Sequence, residues 1–200
     1  MAAMLASSAQ THLLDLEPHP LHDAPPGLKI DAGIERLPDG GLQLGFVLHG
    51  EASQLDRVLL PEPGPAIRAD GLWQHTCYEA FIGVPGQTAY REFNFSPSTA
   101  WAAYAFSDYR QAAPLPLGPV PPIAFLRSEG SLTLATTLAP GWLPKSQSQP
   151  QPLCLGLSAV IELIDGTRSY WALAHAAAQP DFHHRDSFTL TLTEHCRERP

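Results

Sequence analysis

Prolines interrupt this chain of 200 residues at short intervals, 21 of them, with 15 glycines among them. Inside a helix each proline removes a backbone hydrogen bond and clashes with the preceding turn, at a cost of about 3 kcal/mol. Few long helices survive such spacing. The segments between the prolines instead alternate apolar and polar residues with the period of an extended strand. LQLGFVL from Leu42, SLTLATTL from Ser131 and FTLTLT from Phe188 do so most cleanly. In the last, Phe188, Leu190 and Leu192 are expected on one face. Residues 29–36, 77–84, 90–96, 101–107, 123–128, 153–164 and 169–175 read as further strands, giving about ten in all. The turn chemistry agrees. Pro38-Asp39-Gly40-Gly41, Ser128-Glu129-Gly130-Ser131 and Ile164-Asp165-Gly166-Thr167 each join two such runs. The expected fold class is all-β, an antiparallel two-sheet β-sandwich with at most a short helix.

Three segments read as surface excursions: residues 17–27 with four prolines, 111–122 with five, and the low-complexity 144–152. Strand-like sequence flanks each of them, so none reads as a domain linker. The expected organisation is a flexible N-terminus over 1–11, one sandwich domain over 12–195 and a tail over 196–200. No internal repeat or heptad pattern appears.

Composition excludes several classes. Hydrophobic residues make up 44% of the chain and charged residues 16%, which supports a packed core and argues against disorder. A formal net charge of -8 repels a phosphate backbone, so no nucleic-acid partner is expected. No window is apolar enough to span a bilayer, and the first ten residues show neither a basic stretch nor an apolar run of signal-peptide length. No membrane partner and a cytoplasmic location are the expectation. Cys77, Cys154 and Cys196 are far apart and form no CxxC pair, so they read as free thiols.

The chemistry concentrates in residues 71–110, which hold half of the tryptophans and four of the five tyrosines. Strand alternation puts Tyr90, Glu92 and Asn94 on one face and Arg91, Phe93 and Phe95 on the other. Glu79 shares a face with Cys77 and Phe81. If these strands pair, Glu79, Glu92 and Asn94 form a polar stripe amid aromatics, with Arg91 and Arg110 as candidate ion partners.

The run Trp73…Tyr78-Glu79-Ala80-Phe81…Tyr90-Arg91-Glu92-Phe93-Asn94-Phe95-Ser96-Pro97…Trp101…Tyr104…Tyr109-Arg110 resembles the DOMON-like proteins, relatives of the family 9 carbohydrate-binding modules. The run Pro180-Asp181-Phe182-His183-His184…Ser187-Phe188 is similar to their last loop and closing strand. The resemblance implies a single antiparallel sandwich, used by wider relatives to hold sugars or haem. Haem-binding members generally supply a methionine ligand, and the methionines here are Met1 and Met4, so no cofactor is expected.

Sugars stack apolar ring faces on tryptophan or tyrosine and offer hydroxyls to carboxylates, amides and arginine. Trp73, Glu79, Tyr90, Glu92, Asn94, Trp101, Tyr104 and Arg110 are therefore the candidate ligand-binding residues, with Tyr109 and Trp171 as further stacking surfaces. The alternative for the same residues is structural: aromatics that fill the core and charges that form one internal network. His183 and His184 point to opposite faces of any regular strand, so no metal site is assigned, although a loop would allow either to meet one. His12, His19, His22 and His195 lie near the chain ends, and His175 near Asp181. Cys77 and His75 share a face, but no nucleophile motif surrounds them. Three functions remain open: a non-catalytic small-ligand-binding protein, an enzyme acting on a sugar or related metabolite with Glu79 and Glu92 as acid and base, and a structural protein using a sheet edge. The ligand and the oligomeric state are not legible.

Overall fold

Alternation in the strands becomes two layers in the computed structural model, which describes residues 12–22, 24–116, 118–144 and 152–193. The strands are β1 His12–Pro18, β2 Lys29–Arg36, β3 Leu42–His49, β4 Cys77–Gly83, β5 Tyr90–Phe95 and β6 Trp101–Asp108. They continue with β7 Gln111–Ala113, β8 Ile123–Ser128, β9 Ser131–Leu138, β10 Leu153–Glu162, β11 Arg168–Ala172 and β12 Leu190–Leu192. One short helix, α1 (Ala52–Leu55), and three 3-10 turns are the helical structure among the described residues. The fold is an all-β antiparallel sandwich.

The first sheet runs β1-β2-β3-β9-β8 and the second β7-β6-β5-β4-β10-β11-β1, with β12 pairing the start of β10. Strand β1 belongs to both. Leu13 to Leu16 pair with β2, whereas Glu17 and Pro18 pair with β11. That corner closes one side of the sandwich and leaves no free strand edge there. At the turn between β2 and β3, Gly40 adopts a left-handed φ of 89°, and Asp39 Oδ1 accepts the Gly41 N–H at 2.8 Å.

The core lies between the sheets. Ile30, Ile34, Leu44, Phe46, Leu132 and Leu134 face inward from the first sheet, and Tyr78, Ile82, Phe93, Phe95, Leu157 and Ile161 from the second. Burying each such side chain is worth roughly 1.5–3 kcal/mol.

The structure departs from the sequence reading chiefly in three places, while β10 and β11 end at Glu162 and Ala172, short of the expected 164 and 175. Two strands went unrecognised. Strand β1 ends inside the first proline-rich excursion, and β7 opens the second. Both are short or proline-terminated, so pairing to a long neighbour decides them, not their own pattern. The closing strand is shorter than expected, Leu190–Leu192. Phe188 precedes it and packs on the outer surface with Phe81, while Leu192 joins the core. Residues 1–11, 145–151 and 194–200, on which the expected flexible terminus, the low-complexity loop and the tail fall, lie outside the described residues.

Candidate functional site

Every residue of β4 and every residue of β10 is buried. Alternation accounts for one face, packed on the first sheet. Burial of the other face means that something covers the outside of the second sheet. Two segments do. Residues 64–71 run beside β6, with Trp101 N–H donating to Ile67 O and Ala69 N–H to Trp101 O. They carry Arg68, Asp70 and the 3-10 turn Leu72–Gln74 to one rim. Residues 173–189 return across the other side, anchored by Phe182 and Phe188 on Phe81 at ring distances of 6.4 and 5.9 Å. Arg185 holds this segment by donating to Gln87 O at 3.1 Å.

Between these segments lies a cleft of about 940 Å³, within the size range of small-ligand sites. Glu79, Phe81, Glu92, Tyr104, Phe106 and Val160 form its floor from β4, β5, β6 and β10. Trp73, Arg68, Tyr170, Phe182, His183 and Arg110 stand around it.

Register brings the acids together. Glu79 pairs with Asn94 on β5 and with Ser158 on β10, and Phe81 pairs with Glu92. Asn94 Nδ2 donates to Glu92 Oε1 at 2.9 Å. Glu79 Oε1, Asn94 Oδ1 and Ser158 Oγ are buried with no hydrogen-bond partner. Burial pushes the Glu79 carboxyl well above the ordinary carboxylate range, and the nearby Glu92 charge adds to the rise. Burial also raises Glu92, against the Asn94 amide and the Arg110 charge.

A second network seats the cleft wall. Arg110 is one of two non-glycine residues with positive φ among the described residues, at 52°, a backbone strain that the surroundings must hold in place. Its N–H donates to the Tyr90 hydroxyl oxygen at 3.1 Å. The Tyr90 hydroxyl also bonds His183 Nδ1 at 2.8 Å. Where the phenol donates, the imidazole keeps its hydrogen on Nε2, which lies 3.6 Å from Glu92 Oε2. Burial and the Arg110 charge hold His183 down at about 4, with Asp181 in partial opposition, so the imidazole is neutral near neutrality. Asp181 accepts from Tyr109 Oη at 2.7 Å, Arg110 at 2.9 Å and His183 N–H at 3.1 Å. Burial works against its ionisation, but these donors outweigh it and hold the carboxyl below its ordinary value. On the opposite rim the Tyr104 hydroxyl donates to Asp70 at 2.8 Å, and Arg68 lies over the Tyr104 ring.

The sequence-predicted residues therefore divide. Trp73, Glu79, Glu92, Tyr104 and Arg110 line the cleft. Tyr90 and Asn94 lie just behind its wall and floor, holding His183 and Glu92. Trp101 does not belong to it. Its ring faces the core against Trp142 at 5.7 Å, because position 101 shares a face with Ala103, not with Tyr104. Trp171 is likewise a core residue, 2% exposed. Arg91 points away, donating to Gly141 O at 3.2 Å.

His183 and His184 separate. The first enters the wall, while His184 Nδ1 accepts the Asp186 N–H. Among the described residues no group of three or more His, Cys, Asp or Glu is placed to hold a metal ion. Cys77 is fully buried, and burial raises its thiol far from the reactive range, with the Glu79 charge adding to the effect. His75 turns to Glu162 instead, at 2.7 Å. The sequence reading missed Arg68, Asp70, Phe106 and Tyr170. Phe106 was within reach, since it alternates with Tyr104; the others arrive through loop and sheet packing that no local pattern records.

A protein named "putative carbohydrate-binding protein" from Bacteroides uniformis superposes on this chain with a TM-score of 0.64 at 15% identity, covering 92% of this chain and 86% of its own. The two share the sandwich fold. A family 9 carbohydrate-binding module from Caldicellulosiruptor kristjanssonii, solved with glucose, gives a TM-score of 0.49 at 8% identity over 80% of this chain and 74% of its own. No protein-family model matches the sequence, and neither does a curated protein.

Proposed function

We propose that the protein is a non-catalytic binder of a small ligand, a carbohydrate, held in the cleft over the second sheet. One observation carries this reading: Trp73, 52% exposed, stands on the same cleft as buried carboxylates with an unpartnered oxygen. An exposed indole offers a face for a pyranose ring, and the buried oxygens offer partners for its hydroxyls. The Bacteroides uniformis protein of the same fold bears a carbohydrate-binding name, so the sandwich is compatible with such a ligand.

The test is a thermal-shift and tryptophan-fluorescence screen of mono- and disaccharides. A ligand at a hundred times its Kd stabilises the fold by about 2.7 kcal/mol. Trp73→Ala is expected to abolish the shift, while Trp101→Phe retains it. A panel in which no sugar stabilises the protein counts against the proposal.

The shared cleft of Glu79, Glu92 and His183, each with a displaced titration, favours a second reading as an enzyme on a sugar. NMR spectra of the bound sugars over time separate the two: unchanged sugar supports binding, and a new species supports catalysis.

A further inference from the structure

Charge around the cleft does not balance. Arg68 is paired with Asp70 at 3.4 Å and Arg110 with Asp181 at 2.9 Å. Glu79 and Glu92 remain on the floor, 2% and 5% exposed, with amide and hydroxyl neighbours but no cation in contact. His183 approaches Glu92 at 3.6 Å, but its Nδ1 is committed to Tyr90 and the ring is neutral. Glu79 lines the cleft, and its buried Oε1 has no hydrogen-bond partner. Two desolvated carboxylates on adjacent strands need a proton or a cation.

The walls indicate which cation. Phe81, Tyr104, Phe106 and Tyr170 line the same space, and aromatic rings attract organic ammonium groups through their electron-rich faces. Among the described residues no group of three or more His, Cys, Asp or Glu is placed to hold a metal ion, and the floor offers two carboxylates only. A neutral hydroxyl adds a hydrogen bond but no charge to set against the two carboxylates. An ammonium brings three donors and the opposing charge.

We propose that the ligand carries a protonated amine seated against Glu79 and Glu92, which makes an amino sugar the ligand class. The sugar half rests on the carbohydrate reading above, and the amine half on the carboxylates alone. The groups facing Glu79 are Cys77 on its own strand, Glu92 on β5 and Ser158 on β10; Arg110 and His183 face Glu92. An ammonium beside Glu79 favours its ionised form, so a proton held by the raised carboxyl leaves as the ligand binds.

Three probes test this by titration calorimetry near neutral pH, in buffers of different ionisation enthalpy: glucose, glucosamine and cyclohexylamine. The last has the ring and the ammonium without hydroxyls. Glucosamine is expected to bind about tenfold or more tighter than glucose, with net proton release. Glu79→Gln is expected to remove that preference and the release; Glu92→Gln is the second variant, and a melting curve confirms that each is folded. A preference that survives in both variants overturns the proposal. Glucose binding as tightly as glucosamine, with no proton released, overturns the amine and leaves the carbohydrate reading standing. Cyclohexylamine binding while neither sugar binds upholds the amine and overturns the carbohydrate reading. Silence from all three probes overturns both.

Discussion

Replacing Glu79 by glutamine is expected to stabilise the protein at neutral pH and to flatten its stability profile. The side chain keeps its shape and loses its titration. Below the ordinary glutamate value of 4.5, folded and unfolded chains both hold the Glu79 proton, and the group has no effect. Above it the unfolded chain ionises first, because the folded carboxyl is buried beside Glu92. Each pH unit in that window removes about 1.4 kcal/mol from the wild type, until the folded value is reached. Glutamine does not incur this loss. The advantage of the variant therefore grows with pH at about 1.4 kcal/mol per unit and then levels off, and the level marks the folded value. In melting temperature this is about 2–4 °C per kcal/mol for a chain of this size. Urea unfolding followed by tryptophan fluorescence, in half-unit steps from the ordinary carboxylate range to neutrality, reads it directly. A constant offset between the two profiles, or a variant that loses ground as pH rises, would mean that folded Glu79 is ionised and paired. The charge accounting in the cleft would then be wrong.

Other perturbations probe separate parts of the structure. His183 is held at about 4 against an ordinary value of 6.5, so the wild type loses stability as pH falls through that interval, where the unfolded chain takes up the proton first. His183→Phe should show a shallower acid slope in the same unfolding assay. Tyr90→Phe strands the Arg110 N–H and His183 Nδ1 and is expected to cost about 1–3 kcal/mol by urea denaturation. Trp101→Ala opens a core cavity and should cost about 3–5 kcal/mol in the same measurement, whereas Trp73→Ala should leave stability nearly unchanged. Gly156→Val places a side chain where a Cβ already meets Phe188 Cδ1 and Ser187 O at 3.3 Å. It should lift the 173–189 segment, costing about 1–3 kcal/mol in the melt and weakening whatever ligand the sugar screen identifies.

Alternation carried much of the fold. Strands β2, β8 and β9 have the bounds expected from the sequence, because each is long, regular and limited by glycine or proline turns. The same rule put Glu79 beside Phe81 and Glu92 beside Asn94 on one face. It was set aside for Trp101, whose aromatic character suggested the site while its own parity pointed, correctly, to the core. It failed for β1 and β7, which are strands because of their neighbours.

Face and period are local properties, written in the order of the side chains, so the sequence alone determined an antiparallel sandwich with an acidic, aromatic stripe along β4 and β5. Which stripe is open to a ligand is not local. Both faces of β4 are buried, one by a sheet and one by two loops. The cleft exists because residues 64–71 and 173–189, distant in sequence, stop short of meeting above Glu79 and Glu92. The bond between Tyr90 and His183 and the burial that raises the Glu79 carboxyl depend on partners that only this long-range packing brings together.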